Sequence, residues 1–339
     1  MDHTDRSTIR RFAILGALAL AVPLLALAAG RAGTPVVEVL QILGGGGDAV
    51  DRQVVLDLRL PRVLVALLVG AGLAVAGTIL QGVCRNPLAE PGTLGLTAGA
   101  GLGVVLLLLY DPQAATHTPT LASLAAFAGC VFALAATFVL SLGEGGLRPS
   151  RLLLIGLSVG LGLSGALLLL PLRMSPEIYN YALDWITGTL IAAEMSQALF
   201  LAPCLVLLVA GAWMQATALD VLRLDDDSAA GLGMDLFRRR LLLLATAAAL
   251  VAVCVAVAGA LPFVGLLAPH IARWAFGPRH RALIPAAALC GAVLAVVADG
   301  TGRSLPFRAE IPAGTAIGVL GGVYFLIRLV IPSSTRSAP

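Results

Sequence analysis

Lysine is absent from the 339-residue sequence, and all 22 basic residues are arginine. A phosphate-binding loop of the form G-x-x-x-x-G-K-[ST] needs that lysine to reach the β- and γ-phosphates. The chain is therefore not by itself a nucleotide hydrolase of that class, and Schiff-base lysine chemistry is excluded with it. Charge of either sign is scarce, at 12% of residues against about 25% in soluble domains, too little to cover a globule with water-loving groups. Aromatic residues make up only 5%. The five cysteines, Cys84, Cys130, Cys204, Cys254 and Cys290, form no C-x-x-C and have no histidine at metal-ligand spacing. They read as core filling.

What remains is apolar: 59% hydrophobic residues and a mean hydropathy of +0.96. At about 20 residues per bilayer crossing, that supplies about ten helices, so the expectation is an all-α polytopic membrane protein with a single domain over 1–339. Hydrophobic runs between breakers place spans near 12–30, 62–83, 93–110, 120–142, 150–171, 190–213, 239–259, 262–274, 283–301 and 313–331. The eighth, bounded by Pro262 and Gly277 and interrupted by Pro269, reads as a half-helix or re-entrant segment buried in protein. With both termini inside, 15 arginines fall inside and seven outside, as the positive-inside rule requires. A rival reading of the first segment is a secretory signal, with Arg10 and Arg11 before an apolar run that ends in small residues.

Glycines recur at four-residue spacing: Gly95, Gly99 and Gly103, then Gly156 and Gly160, then Gly314, Gly318 and Gly322. Such faces let helix backbones approach where lipid gives no hydrophobic drive to association. Acids within the apolar zone are few. Glu194 and Asp299 lie near span ends, and Asp299 is placed for an i,i+4 pair with Arg303. Ion-coupled carriers place acids at mid-membrane, so the energy for any transport is expected from elsewhere. The polar stretch Leu219 to Arg240 has helix-start residues at Asp225, Asp226, Asp227 and Ser228, and stops at Gly231 and Gly233. It reads either as a solvated connector or as a docking surface for a soluble partner. Arg59 and Arg62 flank Pro61 at what reads as a helix start, where cations oppose the helix dipole. Lipid phosphates or a partner's carboxylates would each offset that cost.

Four stretches in this order resemble the permease subunits of iron-siderophore, haem and cobalamin ABC importers, the FecCD-like family of type II importers. They are RLPRVLVALLVGAGLAVAGTILQGVCRNPLAEPGTLGLTAGAGLG from Arg59, PSRLLLIGLSVG from Pro149, LRLDDDSAAGLGM from Leu222, and GALPFVGLLAPHIARWAFGPRHRALIPAAALCGAVLAVVADGTGR from Gly259, followed by EIPAGTAIGVLGG from Glu310. The resemblance implies two permease subunits, as a homodimer or heterodimer, around a central path in the inner membrane. It further implies two cytoplasmic ABC ATPase subunits that use ATP and Mg, and an external substrate-binding protein, with no cofactor on the permease itself and no nucleic-acid partner.

By the same resemblance, the coupling segment lies within 219–237, with contacts at Asp225, Asp226, Asp227, Ser228, Ala229, Leu232 and Gly233. The family usually has glycine where Asp225 stands. Docking arginines for the binding protein map to Arg59, Arg62 and Arg303, and a cytoplasmic gate maps to Asn86, Leu88, Pro149 and Ser150. Two departures concern Pro149, where some members carry a small polar residue, and Val323, where the family usually has proline. The implied cargo is a ferric siderophore, with haem and cobalamin as alternatives, and no residue decides among them. An ion-coupled secondary transporter and a membrane-embedded enzyme are the readings from other classes. For the second of these, His270 in APHIARW is the tempting residue, and it reads as structural.

Overall fold

Helices account for all the regular structure among the described residues, which in this computed structural model are 3–29, 33–113, 119–143, 147–305 and 310–330. In chain order they are α1 (His3–Ala28), α2 (Val36–Leu43), α3 (Ala49–Gln53), α4 (Leu60–Cys84), α5 (Leu96–Tyr110), α6 (Pro119–Ser141), α7 (Pro149–Leu169), α8 (Pro176–Thr187), α9 (Met195–Met214), α10 (Ala216–Val221), α11 (Asp226–Gly231), α12 (Leu236–Ala258), α13 (Val264–Phe276), α14 (His280–Ser304) and α15 (Ala313–Val330). Seven helical stretches are long and apolar enough to cross a bilayer, α5 and the start of α15 are shorter apolar helices, and the 13-residue α13 is a tenth element. These ten elements fall on the ten runs read from hydropathy, the second of them starting well before its run. The sequence reading did not foresee α2, α3 or the amphipathic α8.

The second span differs most from expectation. Asp48 caps α3 by accepting from the Val50 N–H, and the helix then runs without a break through a π-helical stretch, Val54–Arg59, into α4. The continuous helix covers Ala49–Cys84. Its apolar part is 78% buried, against 11% for α1 and 22% for each of α6, α7 and α9. The chain thus wraps around α4, while the outer helices turn leucine and valine toward lipid.

Glycine makes that wrapping possible. A Cβ on Gly70 would strike the Gly291 carbonyl, and one on Gly291 would strike the Gly70 carbonyl, so α4 and α14 touch backbone to backbone. Further along α4, a Cβ on Gly77 would strike the Gly265 carbonyl of α13. The anticipated faces do the same elsewhere: Gly99 and Gly103 meet Gly129 and Ala125 of α6, Gly156 and Gly160 meet the turn at Leu94 and Gly95, and Gly314 meets the Thr187 and Ala260 carbonyls. Gly322 has nothing within 4 Å of a Cβ position, so it does not extend the last of these faces. Close packing supplies the dispersion contact that drives helices together in lipid. α13 is a 13-residue helix that continues through Pro269 and begins after Phe263, a non-glycine residue at φ +62°.

A Gly77→Ala substitution is expected to cost about 1–3 kcal/mol through overpacking, read as a lower thermal midpoint of the detergent-solubilised protein. Gly162→Ala, with nothing within 4 Å of the new Cβ, is expected to leave the midpoint unchanged. Equal midpoints for both variants would refute the backbone contact as a source of stability.

Candidate functional site

The polar groups gather at the two ends of α4, around Arg62 and Arg85, about 35 Å apart along the helix. At the Arg62 end, Asp299 of α14 is 1% exposed. A carboxylate inside an apolar bundle is tolerated only with partners. The Arg62 Nε donates to both Asp299 oxygens at 2.8 and 3.1 Å, and its Nη2 lies 2.8 Å from Oδ1. The Arg303 Nε lies 3.3 Å from Asp299 Oδ2, which is the i,i+4 pair that the sequence suggested. The Arg62 Nη1 donates to Glu310 Oε2 at 2.9 Å.

Arg59 faces another acceptor set, donating to the Leu27 carbonyl at 2.8 Å and to the Thr34 hydroxyl at 3.2 Å, while the Arg303 Nη2 donates to the Ala26 carbonyl at 3.0 Å. All three arginines are buried, at 6–8% exposure. The expectation that Arg59 and Arg62 sit against the dipole of a helix start is corrected here. Their own helix begins at Ala49, so neither lies in its first turn. Arg59 and Arg303 instead satisfy orphan carbonyls at the C-terminal end of α1, the end where cations are favoured.

At the opposite end, the 219–237 segment folds into α10, α11 and the turn between them. Asp225 is the N-cap of α11, its side chain accepting from the Ser228 N–H at 2.9 Å. Ala229 is fully buried and pins the short helix to the bundle. Asp225, Asp227, Ser228 and Gly233 are exposed, Gly233 at φ +80°, and Leu232 is 69% exposed. The group that organises this end is Asp226. Its Oδ1 lies 2.7 Å from Arg85 Nη2 and 2.6 Å from Arg240 Nη2.

Each of those arginines reaches a second place. The Arg85 Nε donates to the Leu222 carbonyl at 2.6 Å. Arg85 also ends α4 at φ +48°, a left-handed position where glycine is usual. Arg240 is 4% exposed and donates through Nη1 to the Leu147 carbonyl at 2.8 Å. Leu147 precedes Pro149 and Ser150, the first residues of α7, and Arg85 precedes Asn86, whose Oδ1 accepts from the Leu88 N–H at 2.9 Å. The structure therefore brings the two loops carrying Asn86, Leu88, Pro149 and Ser150 into one hydrogen-bonded set with α11. Sequence reasoning missed Arg85 and Arg240 as members of this set. Arg240 stands in an apolar helix as a cation that needs a partner, and that was the available signal.

Among the described residues, no group of three or more His, Cys, Asp or Glu side chains is placed to hold a metal ion. His270 packs edge-on against Tyr324, with ring centroids 5.9 Å apart.

The hydrogen bond from Arg240, and then Arg85, holds the Asp226 carboxyl below the usual aspartate range, and the Ser228 N–H does the same for Asp225. Because these values are lowered in the folded chain, their stabilisation is complete above the unfolded aspartate range. It is lost as pH falls through the lowered values. Protease cleavage within 219–237 is accordingly expected to stay slow at neutral pH and to rise only in acid below that range, while Asp226→Asn is expected to cleave quickly at neutral pH. Wild-type cleavage rates in the variant would refute the role of Asp226.

The FecCD transport family model matches residues 18–331. The chain is 39% identical over 297 residues to the iron(3+)-hydroxamate import system permease protein FhuG of Bacillus subtilis, covering 86% of this chain and 88% of that one. It is 36% identical over 331 residues to the hemin transport system permease protein HmuU of Yersinia pestis, covering 96% and 97%. It is 37% identical over 289 residues to the vitamin B12 import system permease protein BtuC of Vibrio cholerae, covering 84% of each. A solved metal-chelate type ABC transporter chain in an inward-facing conformation superposes with a TM-score of 0.82 at 28% identity, covering 95% of this chain and 99% of that one.

Proposed function

From the chain's membership of the FecCD transport family, which makes it a permease subunit of an ABC importer, we propose that it carries a ferric siderophore inward, with haem or cobalamin as the alternative cargo. The hydroxamate, citrate and siderophore permeases among its relatives support the iron chelate, and the hemin and vitamin B12 permeases define the alternatives. The subunit is a single non-catalytic permease domain in the inner membrane. It pairs with a second permease subunit, receives cargo from an external binding protein, and is driven by two ATPase subunits that use ATP and Mg. Arg11, Arg85, Arg223, Arg240 and Arg273 cluster at the α11 end through their contacts. That end is cytoplasmic in our reading, with both termini inside.

The observation that carries the mechanism is the link from Asp226 to both loops. The ATPase grips the exposed face of α11 at Asp225, Asp227, Ser228, Leu232 and Gly233, and Ala229 holds that helix to the bundle. When ATP binding and hydrolysis move α11, Asp226 draws Arg85 and Arg240 with it. Arg85 moves the Asn86–Leu88 turn, and Arg240 moves the segment at Leu147 before Pro149 and Ser150. These two loops act as the cytoplasmic gate, and the path above them needs no charge because the binding protein selects the cargo. At the other end Arg59, Arg62 and Arg303 form the docking cluster for acidic groups of the binding protein, and an incoming carboxylate competes with Glu310 for Arg62.

Uptake of radiolabelled iron as hydroxamate, catecholate and citrate chelates, and as haem, in cells lacking the chain and in complemented cells, tests the cargo. Loss confined to one iron chelate and restored by complementation is expected, and loss confined to haem, or to labelled cobalamin, would replace the siderophore reading. Docking is tested by Glu310→Gln, which removes the internal competitor of Arg62 and leaves the buried Asp299 pair intact. Severalfold tighter binding of the partner protein is expected, and unchanged affinity would count against Arg62 as a docking residue.

A further inference from the structure

A cavity of about 260 Å³ opens beside the α11 end, between the end of α4, α10 and the turn from α13 to α14. Three guanidinium side chains line it, Arg85, Arg223 and Arg273, together with His280. Their charges are poorly balanced. Arg85 shares Asp226 with Arg240. Arg223 donates only a long bond, 3.4 Å, to the Pro278 carbonyl, and Arg273 donates to the neutral Gln81 Oε1 at 2.9 Å. Among the described residues no carboxylate is paired with Arg223 or Arg273. Like charges held together around a cavity without a counter-ion raise the energy of the folded chain, and a bound anion would lower it.

His280 supplies the second, independent observation. It is 2% exposed, and its ring is fixed from one side, with Nδ1 2.6 Å from Asp220 Oδ1, the oxygen that also accepts the His280 backbone N–H at 3.0 Å. Its other nitrogen, Nε2, has no hydrogen-bond partner. An orphaned polar atom on a buried side chain is rare and costly. Gly82 packs beside it: a Cβ there would come within 3.3 Å of Nε2 and 2.9 Å of Leu219 Cδ2, so a side chain at position 82 would close over that nitrogen. With a proton on Nδ1 facing Asp220, Nε2 is an acceptor.

We infer that this cavity binds a phosphate group that still carries a proton, its charged oxygens held by Arg223, Arg273 and Arg85 and its P–OH donated to His280 Nε2. Guanidinium forks match phosphate oxygens in pairs, and a protonated phosphate oxygen is the donor that Nε2 lacks. The same chemistry is offered by free inorganic phosphate and by the monoester headgroup of phosphatidic acid. An occupied site would tie the end of α4 to α10 and to the α13–α14 turn, one residue set away from the N-cap of α11.

The test uses the full chain in nanodiscs of zwitterionic lipid, with equilibrium binding of radiolabelled phosphate at constant ionic strength. Saturable binding is expected, competed severalfold less well by sulfate, which carries no proton at neutral pH. Arg223→Gln, a change at an exposed side chain, is expected to weaken binding at least tenfold, and Arg273→Gln likewise, whereas Arg52→Gln, which removes a charge at the far end, is expected to leave it unchanged. In a parallel arm, nanodiscs containing phosphatidic acid are compared with the zwitterionic ones. A lipid-dependent rise in thermal midpoint that Arg223→Gln abolishes, without binding of free phosphate, would assign the site to the headgroup. Absence of both effects, binding untouched by Arg223→Gln and Arg273→Gln, or sulfate competing as well as phosphate would overturn the proposal.

Discussion

The pair between Arg62 and Asp299 is the interaction on which the arrangement of the bundle rests. A carboxylate at 1% exposure in an apolar setting costs several kcal/mol unless it is charge-paired and hydrogen-bonded, and Arg62 and Arg303 both reach Asp299. Arg62 belongs to the central helix and Asp299 to α14, 237 residues away in sequence. Satisfying one buried charge therefore fixes the register of two long helices at one end. Through the Arg303 bond to the Ala26 carbonyl, the same set reaches α1. Once that end is set, α4 carries the register down to Arg85, where the second polar set begins.

The two ends solve different physical problems. At the Asp299 end the carboxylate is sealed, at 1% exposure, and is reached by arginines from two helices. At the Asp226 end the carboxylate is 43% exposed on its side chain, and its two arginines hold carbonyls of separate loops. A half-exposed pair is weaker and easier to remake than a sealed one. The end assigned to the motor is thus the end built to change partners.

Much of this was legible from composition. Each of the ten apolar runs holds one helix, seven of them long enough to span a bilayer, and the short eighth run with Pro269 corresponds to the 13-residue α13. The pair of Asp299 with Arg303 followed from a four-residue spacing on one helix. What sequence periodicity could not give were contacts between distant segments, such as Arg62 with Asp299, Arg240 with Leu147, and His280 with Asp220. Hydropathy also misplaced the start of the central helix, because Asp51, Arg52, Asp57 and Arg59 break the apolar run while the backbone continues through them. Among the glycines, regular spacing marked α5 and α7 correctly but passed over Gly70, Gly77, Gly265 and Gly291, whose partners lie on other helices.

Those four glycines also bear on how such a chain can vary. At most core positions a larger side chain can be accommodated by trimming the neighbour that it meets. Between Gly70 and Gly291 the obstacle on each side is the other's carbonyl, which every amino acid possesses. No second substitution can relieve the first, so neither position can drift by compensation, and departure from glycine requires the helices themselves to separate. The lipid-facing leucines of α6, α7 and α9 can be exchanged one at a time for other apolar residues. Sequence change in a chain of this design is therefore expected to run on the outside of the bundle and to halt along the narrow seam of α4.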